Sequence, residues 1–192
     1  MSVPKARPDF IVRCEQHAGK GRVAAKFRWR HDSNRWSPLP LRGGAVGVTK
    51  TALKGDAVDR QWLQELLADL EEESPTPTRT GWNIKCGGRQ PRTDKHRNCP
   101  NQVAGDADDI NLAFLLVSHA VHHPATADEP SNGDAELLTL LGNLATTEPD
   151  ERDRIYLTIS GLRTCLAYIN HKVGQNAGRH TRRYPREREP SD

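Results

Sequence analysis

Two stretches far apart in the chain carry the same order of side chains. Asp9-Phe10-Ile11-Val12-Arg13-Cys14-Glu15-Gln16-His17 aligns with Gly81-Trp82-Asn83-Ile84-Lys85-Cys86-Gly87-Gly88-Arg89, running aromatic, β-branched, basic and then cysteine. Structural zinc takes four Cys or His ligands in a tetrahedron, commonly as pairs from tight turns. Cys14-x2-His17 is such a pair. The second half has Arg89 where the next ligand belongs, so the fourth must come from further along. Cys99 is the expected one, because a thiolate binds zinc strongly and Pro100 suits a turn; His96 is its competitor. The sequence thus predicts one structural zinc site of Cys14, His17, Cys86 and Cys99, divided by a long insertion. Both halves have to return to a single point, which limits the folds open to the chain.

This arrangement resembles a zinc ribbon split by an insertion. It is similar to uncharacterised small proteins of actinobacteria and their phages that pair a Cys-x2-His knuckle after a short strand with a later strand-Cys knuckle. The resemblance covers residues 9–103. It implies Cys14, His17 and Cys86 as ligands and brings no activity with it.

The cysteines also bear on location. No apolar run opens the chain, and the stretch around Leu112 to Val117 is too short to span a bilayer, so a cytoplasmic protein is expected. In a reducing compartment four cysteines point to metal or free thiols and away from disulfides.

Charge is unevenly spread. Residues 1–55 carry twelve Lys/Arg against three Asp/Glu, whereas residues 106–150 carry nine Asp/Glu and no Lys or Arg. The halves holding the expected ligands are therefore basic. In Arg22 to Arg30 the apolar residues Val23, Ala25, Phe27 and Trp29 alternate with Arg22, Lys26, Arg28 and Arg30. That period of two predicts a strand with one cationic face. Arg92, Lys95 and Arg97 add charge in the Cys86–Cys99 loop. Such cations, beside Trp29 and Trp36, suit phosphates and stacked bases, making nucleic acid an expected partner. Opposed to this is a solvated face over two core tryptophans.

Strands are expected at Phe10–Arg13, Arg22–Arg30, from Arg35 and at Trp82–Lys85, with a turn at His31–Asn34. The insertion holds a helix over 57–73, capped by Asp56, with Trp62, Leu63, Leu66, Leu67 and Leu70 on one face. Glu71-Glu72-Glu73 is unfavourable charge at its end, where fraying is expected. From Asp106 the pattern turns helical. Asp106, Asp108 and Asp109 suit a helix N-terminus. Ile110, Phe114, Val117 and Val121 form a stripe, widened by Leu112, Leu115 and Leu116. A shorter helix follows over 134–144. A last one is expected after a Thr147 cap, with Ile155, Ile159, Leu162, Leu166, Ile169 and Val173 at helical spacing.

The overall expectation is an α+β protein: a flexible 1–8, a small zinc-ribbon-like β domain over 9–103 with its inserted helix, a three-helix unit over 106–173, and a basic disordered tail over 174–192. Its helices are more apolar than such a unit needs, which predicts a homodimer or protein partner through 108–123 and 150–173. His119, His122 and His123 could bind metal, but a helix C-terminus accounts for them better. Cys165 beside the Leu162/Leu166 stripe reads as a buried thiol. No phosphate loop or nucleophile–base pattern is evident. The expected function is a non-enzymatic regulatory or adaptor protein binding nucleic acid, or a protein–protein module with zinc as scaffold.

Overall fold

The computed structural model describes residues 7–42, 47–55, 60–89, 98–123, 139–147 and 153–183. Among them lie eight strands and four helices, a mixed α+β fold. In order they are β1 (Asp9–Cys14), β2 (Arg22–Arg30), β3 (Arg35–Leu39), β4 (Val48–Ala52), α1 (Gln61–Asp69), β5 (Thr80–Lys85), β6 (Gln102–Asp106), α2 (Ala107–His122), α3 (139–143), β7 (Ala145–Thr146), β8 (Arg154–Thr158) and α4 (Ile159–Arg183).

The strands form two sheets, β3-β2-β1-β8-β7 and β4-β5-β6. β1 lies at the centre of the first, antiparallel to β2 and parallel to β8, with Phe10 opposite Ile155 and Val12 opposite Leu157. A central strand buries both faces, and Phe10, Ile11, Val12 and Cys14 are all buried. Pro38 cannot donate to a ladder, and it sits on β3 at the sheet's edge.

α2 forms the middle of the core. Asp106 caps it, accepting from Asp108 N at 2.9 Å, as its acidic start predicts. Every residue from Ala107 to Ser118 is buried. Phe114 stacks on Phe10 at 4.2 Å and meets Phe27 and Trp36 edge-on at 5.1 and 5.9 Å, joining the helix to the first sheet. The apolar surface that predicted a partner for 108–123 is thus covered within the chain. A single core cluster includes β1, β2, β5, α1, α2, β8 and α4, so elements from 9–103 and from 106–173 share one interior.

Several expectations need correction. The last helix begins at Ile159. Arg154–Thr158 is a strand, because Ile155, Tyr156 and Leu157 fill the otherwise open edge of β1. Ile155 matched the helical spacing by coincidence. Thr158, not Thr147, caps α4, accepting from Gly161 N at 2.9 Å. The tail is helical to Arg183, since a started helix extends at little cost per residue. Arg7 and Pro8 are tied down: Arg7 pairs with Glu72 at 2.6 Å, and Pro8 O accepts from Trp36 Nε1 at 2.8 Å. The inserted helix covers 61–69 of the expected 57–73, and its expected Asp56 cap lies outside the described residues.

α1 ends at Asp69, before the Glu71-Glu72-Glu73 run, in a closed turn. Glu71 N donates to Ala68 O at 3.0 Å and Glu72 N to Leu67 O at 2.7 Å, the paired bonds of a helix closed by a left-handed residue. That residue is Glu71, at φ 55°, where glycine is favoured. Glu71→Gly is therefore expected to raise stability by about 1 kcal/mol, from relief of the left-handed conformation and of a charge at the helix end. A urea-unfolding midpoint that falls or stays fixed would contradict this.

Candidate metal centre

β1 ends on Cys14 and β5 ends one residue before Cys86, so each ladder delivers a cysteine at its tip. Antiparallel pairing of β5 with β6 then brings Cys99 back beside Cys86. Cys86 N donates to Asn101 O at 3.0 Å, Cys99 N donates to Gly88 O at 2.8 Å, and Arg89 bridges to Asn98. This explains why Arg89 is not a ligand: it belongs to the ladder rung, and the ligand lies across the hairpin. His96 lies outside the described residues.

The ligand atoms of Cys14, His17, Cys86 and Cys99 all lie within 4.8 Å of one another. Cys14 Sγ and Cys99 Sγ are 3.7 Å apart, and His17 Nε2 is 3.2 Å from Cys86 Sγ. Two sulfurs each about 2.3 Å from a tetrahedral ion would stand about 3.8 Å apart. None of the four cysteines is in a disulfide. The three cluster thiols are buried and His17 is half-buried, which makes a closed site suited to structure more than to an exchangeable ligand.

Two N–H donors point at the cluster sulfurs. Asn101 Nδ2 donates to Cys14 Sγ at 3.3 Å, and Gly88 N donates to Cys86 Sγ at 3.4 Å. Asn101 is itself oriented by Arg163 of α4, at 3.1 Å from its Oδ1. Without a metal, burial and then the neighbouring Cys14 push the Cys86 thiol up to about 12. A bound cation reverses that balance by stabilising the anionic sulfur. Two glycines make room. A Cβ on Gly88 would sit 2.6 Å from His17 Cε1, and one on Gly21, at φ +76°, would sit 2.8 Å from Cys14 O.

The cationic strand differs from its expected form. A bulge in the β1–β2 ladder places Val12 opposite Ala25 but Arg13 opposite Val23, leaving Ala24 as the extra residue. Side chains beyond the bulge change faces. Arg22 therefore stands opposite Cys14, whereas Lys26 stands opposite Ile11. The single face of Arg22, Lys26, Arg28 and Arg30 is thus divided. Arg28 is paired with Asp9 at 2.9 Å and Arg30 with Asp32 at 3.2 Å, which raises the pKa of each guanidinium through those hydrogen bonds. Trp36 is fully buried and Trp29 nearly so; they pack edge-on at 4.6 Å and offer no stacking surface for bases. Arg92, Lys95 and Arg97 lie outside the described residues.

β3 pairs only with Lys26 to Arg30, so the edge of β2 beyond it is open. There Arg22, Lys26 and Arg42 line a cleft of about 280 Å³, together with Gly47 and with Gly87, the residue after Cys86. Arg42 escaped sequence reasoning because it sits in a Pro/Gly-rich loop without periodicity. Cys165 is buried, and burial pushes its thiol up to about 12, the inert state expected of it. Among the described residues no helix is long and apolar enough to cross a membrane. No protein-family model, curated protein or solved structure matches the chain.

Proposed function

We propose that this is a non-enzymatic regulatory or adaptor protein, stabilised by a structural zinc ion and binding nucleic acid through the basic surface beside that ion. Zinc is the favoured metal because three thiolates and one imidazole in a closed site match its ligand preference. The observation that carries the nucleic-acid reading is the cleft of Arg22, Lys26 and Arg42. Three cations meet there beside glycine backbone, without an ion pair to any of them among the described residues. A phosphate is the anion such a cleft fits, and backbone contacts of this kind position a strand without reading its sequence. With Trp29 and Trp36 in the core, affinity comes from phosphates and not from stacked bases.

The test is binding of a fluorescent duplex and of the matching single strand across a salt series. Three phosphate contacts predict a slope of log affinity against log salt of about −3 on duplex. Arg42→Ala should reduce that slope by about one and weaken all sequences alike. Absence of binding to either nucleic acid at low salt would overturn the reading, while the zinc content would be unaffected.

A further inference from the structure

Three cations converge on the cleft beside β2. Arg22 and Lys26 flank the bulge at Ala24, where β3 leaves β2 uncovered, and Arg42 arrives from the loop after β3. Among the described residues no Asp or Glu lines this cleft. Arg22 is held in place by its stem: a Cβ on Gly88 would sit 2.8 Å from Arg22 Cδ, so the arginine lies against the backbone between Cys86 and Cys99. Gly47 is fixed from two sides. A Cβ there would sit 2.3 Å from Ala24 O, and its carbonyl accepts from Lys85 N at 3.1 Å. The rest of the lining, Val23 and Leu41, is apolar and half-buried.

We infer that this cleft takes the phosphorylated end of a nucleic-acid strand, a terminal phosphomonoester with its nucleoside, in preference to the middle of a strand; this rests on the nucleic-acid reading above. Charge is the first reason. An internal phosphodiester carries a single negative charge, whereas a phosphomonoester carries about −1.5 to −2 at pH 7. A terminal monoester and the diester that follows it therefore match three cations within a single nucleotide. Diesters alone match them only as a run of three phosphates. Size decides between the two. A cleft of about 280 Å³ stands at the lower limit of small-molecule pockets, about 300–1,000 Å³, which suits one small ligand group and not an extended run of backbone. The arginine fork adds to this preference. It meets two phosphate oxygens at once, and a terminal phosphate offers three strong acceptors, more than a diester does. Val23 and Leu41 then give the terminal sugar or base edge an apolar surface, which bare inorganic phosphate would leave unused.

The deciding measurement is affinity of the full chain for three internally labelled single strands of one sequence, bearing a 5′-phosphate, a 3′-phosphate or hydroxyls at both ends. One or both phosphorylated strands should bind about 10-fold more tightly than the hydroxyl-ended strand, the gain expected of one added charge-assisted hydrogen bond. The two phosphorylated arms show which end is taken. A nucleoside monophosphate should compete with the preferred strand, and the matching nucleoside should not. Arg42→Gln should erase the preference; Arg42 lies in a loop outside the ladders, and an unchanged melting curve checks that the fold is kept. Lys172→Gln, on α4 and not among the cleft's residues, should leave the preference intact. Equal affinity for all three strands, or a preference that survives Arg42→Gln, would overturn the assignment while leaving nucleic-acid binding in place. Binding of no strand and no duplex at low salt would remove both.

Discussion

Stripping the proposed zinc ion from the cysteine cluster with a strong chelator is expected to lower the melting temperature by about 10–15 °C. A ligand present at about a thousand times its dissociation constant stabilises the folded state by about 4 kcal/mol. In a chain of this size each kcal/mol moves the midpoint by about 2–4 °C. The loss falls where β1, β5 and the approach to β6 converge, because no disulfide joins Cys14, Cys86 and Cys99. Cys14→Ser should mimic the chelator and leave less than about half an equivalent of zinc in the purified protein. Thiol titration supplies an independent check. Metal-loaded native protein should expose no reactive thiol, since Cys165 is buried and protonated, and chelation should release the cluster cysteines to reagent. An unchanged melting curve after complete metal removal would refute a structural role for the site.

Asp108→Ala is expected to cost about 3–5 kcal/mol, the range for breaking a buried pair by removing one partner. Asp108 accepts from Arg35 at 3.3 Å and from the backbone and hydroxyl of Thr78 at 3.2 Å, and both charged side chains are about nine-tenths buried. Among the described residues Arg35 would retain Thr76 O at 2.8 Å and the face of Trp82 at 5.6 Å. The guanidinium left behind carries most of the cost. Replacing both residues by leucine should therefore recover much of the loss, an outcome readable from urea midpoints in a double-mutant cycle. A double variant no better than Asp108→Ala would show that the pair itself contributes the stability.

The same acidic run illustrates how far local pattern reaches. Asp106, Asp108 and Asp109 are legible as a helix start, and Asp106 does cap α2. That Asp108 meets Arg35, and that Asp106 and Asp109 both meet Arg60, is invisible locally, because those arginines come from β3 and from the approach to α1. Glu72 was readable only as poor charge at a helix end. Its reach to His119 depends on the left-handed turn at Glu71 and on how α1 packs against α2. The strand at Arg154–Thr158 was misread because a run such as Ile155-Tyr156-Leu157 suits helix or strand alike, and the vacant edge of β1 decides between them.

By itself the sequence determined the features that depend on near neighbours: the residues able to hold a metal, the alternation in β2, the cap and apolar stripe of α2, and the α+β class that follows from mixing them. Tertiary structure decided whatever required distant segments to meet. It closed Cys99 onto Cys86 across a hairpin, inserted β8 beside β1, and set Arg22 opposite Cys14 through one extra residue at Ala24. It also covered α2 within the chain. The reason is physical: spacing along a chain fixes which face of an element a side chain occupies, whereas only packing fixes what lies opposite that face.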